Sequence, residues 1–216
     1  MTPSAIIADA RILIQDTRSP QRYSDSALLS FVNQTIRRMV MLRPDLFITV
    51  GDITPAANVS EQLLPSTAIR LVEIFRVKNG AAIEEVDRDV FDRAYPQWTT
   101  DTAGTPTKYI RHPRNPRGYF LYPRPTNSIV LVGEYVDTPP TYALNDTISV
   151  LPAAYYPAIV DGTVYLAESI DNEHVNANRA KLFYDSFTQS LGVALQSRDL
   201  IDNETGGARM QQGTSR

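Results

Sequence analysis

The chain has 216 residues, 43% hydrophobic and 21% charged, with 15 prolines, 10 glycines, no cysteine and a net charge of −3. That length fits one ordinary domain, or a core with one inserted subdomain, and buries enough surface to fold without covalent staples. Zero cysteines exclude a disulfide scaffold, a thiolate zinc site, a catalytic thiol and a CxxC redox pair, and the net acidity argues against avid binding of nucleic acid through bulk charge. No apolar run approaches the roughly 20 residues of a membrane helix. The start, Met1-Thr2-Pro3-Ser4-Ala5, lacks the basic segment of a secretory signal. The expectation is a soluble, intracellular, globular protein.

Thr2 and Pro3 suit the N-cap and first position of a helix carrying Ile6, Ala10, Leu13 and Ile14 at helical spacing. Thr17 to Pro20 interrupts it, and Ser24 reads as the cap of a second helix. Its apolar stripe is Leu28, Leu29, Val32, Ile36, Met39 and Val40, with Asn33, Gln34, Arg37 and Arg38 towards the other face. Pro44 closes it.

From Pro44 to Val150 the hydrophobic period changes to two. Strands are predicted over Phe47–Ile53, Ile69–Lys78, Thr107–Arg111, Tyr119–Tyr122 and Ile129–Tyr135. Asn79-Gly80 suggests a type I′ hairpin turn, with Ala81–Val86 as the return strand. Asp87–Tyr95 reads as a short helix with Val86, Val90, Phe91 and Ala94 on one face. Eleven of the 15 prolines fall between Pro44 and Pro140. Strand interiors seldom tolerate proline, so this is a small antiparallel sheet region with long ordered loops rather than a βαβ domain.

Helical period returns in Pro152–Ile170, with Ile159, Val160, Val164, Leu166 and Ala167. Asp171 reads as the cap of a last helix, striped by Val175, Leu182, Phe183, Phe187, Leu191 and Leu195 and ending near Arg198. Ile201–Arg216 carries few apolar residues and is expected to be flexible. The predicted fold is α+β: a discontinuous helical bundle (1–43 plus 151–198), an inserted antiparallel β-rich subdomain (44–150) and a tail (199–216).

No phosphate-binding, dinucleotide, zincin or nucleophile-elbow motif is present. The two histidines, His112 and His174, lack advertised partners and read as surface or interface residues. Adjacent residues of a strand point to opposite faces, so Glu84-Glu85 is a poor acid–base dyad. The N-x-[ST] patterns at Asn33, Asn58, Asn145 and Asn203 carry no glycosylation information without a secretory signal. The sequence reads as a non-enzyme with no cofactor and no metal.

Charge is more telling. Glu84, Glu85, Asp87, Asp89 and Asp92 make an acidic stretch opposed only by Arg88 and Arg93. Thr102–Gly133 then holds Lys108, Arg111, Arg114, Arg117 and Arg124 and no acid. Tyr109, Tyr119, Phe120 and Tyr122 are interleaved with these cations. Such a pattern can clasp nucleic acid and stack on bases, which makes a nucleic-acid-binding module the alternative reading. The acidic and basic stretches can also pair within one subunit or between identical subunits arranged head to tail. These ten charged residues are the predicted protein interface.

The order of motifs resembles the head-to-tail adaptor proteins of tailed bacteriophages, most of all the short-tailed phages' tail tubular protein A group. The motifs are Tyr23-Ser24-Asp25 with Leu28-Leu29 and Asn33, Arg43-Pro44-Asp45-Leu46-Phe47, and Tyr95-Pro96-x-Trp98. Gly104-x-Pro106-x-x-Tyr109, Phe120-x-Tyr122-Pro123-x-Pro125 and Tyr135-x-x-x-Pro139 follow. Leu151-Pro152-x-x-Tyr155 then leads to Ala167-Glu168. The resemblance implies a homo-oligomeric ring, usually a dodecamer, in the virion neck between the portal protein and the tail nozzle protein. DNA would pass through it without sequence-specific binding, no membrane would be involved, and assembly would take place in the host cytoplasm.

Overall fold

The computed structural model describes residues 1–170 and 178–192. Asp171, His174, Val175, Leu195 and the predicted tail lie outside them. The chain forms two compact units, Met1–Arg43 with Pro139–Arg216, and Pro44–Thr138.

The first unit is helical. Helix α1 (Pro3–Leu13) is capped by the Thr2 hydroxyl, which accepts the Ala5 N–H, and Pro3 stands in its first turn. It ends in a Schellman motif before Thr17. Gln15 takes the left-handed conformation (φ 58°), its N–H reaches the Ile12 carbonyl, and the Asp16 N–H reaches that of Arg11. Ile6, Ile7 and Ala10 are buried, but Leu13 is exposed because the stripe turns away from the core at the last turn. Helix α2 (Asp25–Leu42) is capped by Ser24, which accepts the Ala27 N–H.

Asn33, predicted on the polar face of α2, is buried. Its amide bonds both backbone groups of Tyr142, accepting the N–H at 2.8 Å and donating to the carbonyl at 3.0 Å. A side chain that pairs with an irregular segment's backbone belongs inside, since that segment's polar groups must otherwise stay orphaned. Buried Arg11 binds Asp16 at 2.7 Å, Asp25 at 2.6 Å and the Tyr23 carbonyl at 2.9 Å, holding the α1–α2 link in place.

A 3₁₀ turn (Ala153–Tyr155) leads into α4 (Tyr156–Glu168), where Ile159, Val160, Val164, Leu166 and Ala167 are buried. Tyr23 Oη donates to the Ala167 carbonyl at 2.7 Å. Residues 178–192 are helical and form α5. Phe187 and Leu191 are buried there, whereas Leu182 is exposed and leaves the predicted stripe. Gly162 permits close helix packing: a Cβ there would lie 2.4 Å from Thr35 Cγ2 and 3.2 Å from the Phe187 ring.

The second unit holds two sheets and a short helix. Strands β1 (Ile48–Ile53), β7 (Leu131–Asp137) and β3 (Ala68–Val77) form an antiparallel sheet in the order β1-β7-β3. The other sheet, β2-β6-β5-β4, is built from Glu61–Leu63, Gly118–Tyr122, Lys108–Arg111 and Glu84–Glu85. Strand β2 has only three residues and gave no readable alternation. Phe47 lies in a 3₁₀ turn rather than a strand.

The 79–80 turn differs from type I′. Asn79 alone has positive φ (59°), and the Gly80 N–H donates to the Val77 carbonyl. The return strand is brief as well. Ala82 bridges Arg76 and the Ile83 N–H reaches the Phe75 carbonyl, after which β4 pairs in parallel with β5. Ile83 is buried in the shared core, which draws the chain from one sheet to the other.

That core combines Ile53, Leu71, Ile74, Leu131 and Tyr135 of the first sheet with Tyr109, Tyr119 and Leu121 of the second. Gly133 allows the close approach of β3, because a Cβ there would meet the Glu73 carbonyl oxygen at 2.6 Å. On the opposite face of β5 and β6, Ile110, Phe120 and Tyr122 pack under Phe91 and Trp98. Phe91 belongs to α3 (Arg88–Ala94), capped by Asp87. Val90 and Ala94 are exposed, so α3 buries one residue rather than a stripe.

Candidate protein interface

Parallel pairing sets Glu84 beside Lys108 and Glu85 beside Tyr109, so the acidic and basic stretches meet along one strand pair. Lys108 Nζ lies 2.7 Å from Glu84. Arg111 grips Glu85 with Nε at 2.6 Å and Nη2 at 3.0 Å, and also donates to the Leu71 and Val72 carbonyls. Tyr109 Oη donates to the same carboxylate at 2.7 Å.

The Arg111 hydrogen bonds hold the Glu85 carboxyl below its ordinary pKa, against the opposing effect of burial. Glu85 in turn raises the Arg111 guanidinium. Burial first, and then the Glu85 carboxylate, push the Tyr109 phenol up to about 12.

Arg117 donates to the Leu64 and Pro65 carbonyls at 3.1 and 3.0 Å. Arg124 reaches the Asp101 carbonyl at 2.6 Å and that of Thr100 at 3.1 Å. Asp87 caps α3 by accepting the Val90 N–H at 3.1 Å, while Asp92 accepts from Trp98 Nε1 at 2.6 Å and pairs with Arg88. Of the ten predicted interface residues, eight therefore have partners in their own chain. The side chains of Asp89 and Arg114 are exposed and make no hydrogen bond or ion pair among the described residues.

An open cleft of about 690 Å³ adjoins this band, lined by Glu85, Asp87, Arg88, Asp89, Asp92 and Arg111 with Val86, Ile110 and Pro113. Its rim carries both signs of charge over a small apolar floor. Such a surface suits a polar protein contact better than an enclosed small-molecule site.

Strand alternation explains the interleaved aromatics. Tyr109 and Tyr119 enter the core between the sheets, while Phe120 and Tyr122 face the α3 cluster. Neither Tyr109 nor Tyr119 offers a ring face to a nucleobase. His112 is a local structural element: Nδ1 accepts the Asn115 N–H at 2.9 Å and the Arg114 N–H at 3.2 Å, and the ring stacks on Phe120. Among the described residues no group of three or more His, Asp or Glu side chains could hold a metal, and no helix is long and apolar enough to cross a membrane.

The SU10 adaptor protein family model matches residues 1–211, and the chain belongs to that family of bacteriophage adaptors. No curated protein shows a significant match to the chain.

Proposed function

We propose that this chain is the head-to-tail adaptor of a short-tailed phage, similar to the tail tubular protein A group. Copies form a ring, twelvefold in the resemblance stated above, between the portal and the tail nozzle in the virion neck. The family match over residues 1–211 carries the reading. The division into a helical and a β-rich unit suits it, with helices repeated side by side around the ring and the β-rich unit offering a docking surface. Asp89 and Arg114 are the predicted contact residues left available for a neighbour, beside the mixed-charge cleft.

Twelve copies at −3 would carry roughly −36 in total, and such a wall offers few cations to exchange for DNA's counterions, so DNA slides through. A nucleic-acid-binding role for 108–124 gains nothing from the geometry, since four of its five cations and both core tyrosines are engaged internally. The test is electron microscopy of virions and of the purified protein mixed with portal. The expected result is ring density from this chain between portal and tail. A protein that never joins the portal, and is absent from the neck, removes the proposal.

A further inference from the structure

The helical unit carries two surfaces with complementary chemistry. The first is an open apolar groove of about 370 Å³ between α1 and α4, lined by Asp9, Ile12, Leu13, Tyr156, Pro157, Val160 and Asp161. Ile12 at its edge is 64% exposed, which is costly for a large aliphatic side chain left in water. Among the described residues both acids of the groove have only neutral partners. Asp9 accepts from Tyr156 Oη at 2.6 Å and Asp161 from Ser186 Oγ at 2.7 Å.

The second surface is the outer face of α2. Met41 is 79% exposed and Leu42 is exposed beside it. Arg37 and Arg38 stand one helical turn earlier. Their contacts are neutral as well: Arg37 donates to Thr141 Oγ1 at 2.8 Å, and the Arg38 guanidinium lies 5.4 Å over the Tyr165 ring. Among the described residues none of these four charges has an ion-pair partner, in contrast to Arg11 or Arg111.

We infer that the α2 face of one copy (Arg37, Arg38, Met41, Leu42) docks into the α1–α4 groove (Asp9, Ile12, Leu13, Val160, Asp161) of a second copy. The inference rests on the oligomeric reading above and names the surfaces that carry it. Charge complementarity selects the occupant, because the groove is acidic and apolar while the knob is basic and apolar. No α2 residue lines the groove, so the contact is heterologous. Each copy keeps a free groove and a free knob, and repetition closes a ring if the rotation permits. An isologous dimer through either surface would instead set like charges against each other.

The absence of native cysteine makes the test direct. Ile12→Cys, Met41→Cys and the double variant are made in the full chain and oxidised at high protein concentration. Both positions are exposed, so folding is preserved, and circular dichroism checks it. The expected result is a ladder of disulfide-linked oligomers from the double variant and none from either single variant, with a mixture of the two singles giving a cross-linked dimer. Charge reversal supplies the second arm. Asp9→Lys/Asp161→Lys and Arg37→Glu/Arg38→Glu each weaken self-association at least about tenfold in sedimentation, and mixing the two restores it.

Cross-linking by a single variant would overturn the head-to-tail arrangement. A wild-type oligomer with no ladder, unmoved by charge reversal, would overturn these surfaces yet leave the adaptor reading standing. A wild-type chain monomeric at every concentration would overturn the inference, while neck density in virions tests the adaptor reading separately.

Discussion

In the β-rich unit, Lys108, Arg111, Arg117 and Arg124 all end on carboxylates or carbonyls of their own unit. In the helical unit, buried Arg11 and Asp16 are as fully engaged, but Arg37, Arg38, Asp9 and Asp161 keep charges that nothing opposite in sign answers among the described residues. Charge on loops and strand edges must satisfy backbone that lacks a ladder, so it turns inward. Helices satisfy their own backbone, which leaves their outer side chains available for other molecules. A conspicuous charge cluster in sequence can therefore belong to the fold, and a scattered set can face a partner.

The largest expected effect breaks the internal half of this contrast. Arg11→Ala leaves the Asp16 carboxylate buried beside two N–H donors without its counter-charge, which costs about 3–5 kcal/mol. Urea denaturation followed by circular dichroism should show it as an unfolded or strongly destabilised helical unit. Gly133→Ala in the β-rich unit must displace the Glu73 carbonyl of β3. A cost of about 3 kcal/mol is expected, towards the upper end for overpacking, read as a lower denaturation midpoint.

Arg117→Ala and Arg114→Ala sharpen the comparison within one loop. The first loses two charge-assisted bonds to carbonyls and is expected to destabilise by about 1.5–3 kcal/mol. The second should stay within about 0.5 kcal/mol. Equal effects would mean that Arg117 is as free as Arg114.

Glu85 gives the smallest effect and a sign. Its pKa is lowered in the folded state by Arg111, so its contribution is present above the unfolded value of about 4.5 and is lost as pH falls through the folded value. The pair is half-exposed, so under about 1 kcal/mol is at stake. Stability profiles between about pH 3 and 6 should show Glu85→Gln with a shallower acid slope than wild type.

Much of the local structure was readable because its causes are local. Thr2 and Ser24 cap their helices through their own hydroxyls, and the alternation of 119–122 maps onto two apolar faces. Asn33 misled periodicity, because a polar side chain is buried when distant backbone needs it. The turn at Asn79 and the switch of sheet at Ile83 escaped for a related reason: both follow from where the next strand lies.

The acidic and basic stretches were visible in the sequence, but whether they pair within or between chains depends on the β4–β5 register. The groove between α1 and α4 was not visible at all. Its residues lie more than 140 positions apart, and Ile12, Leu13 and Val160 resemble any helical stripe until packing leaves two of them outside.

By itself, then, the sequence determined the α+β character and the starts of α1 and α2, since caps and periods act over a few residues. Only the tertiary structure decided which charges are consumed within the fold and which remain for a neighbour. That choice is made by distance between chain segments, and distance across the chain is set when the core packs.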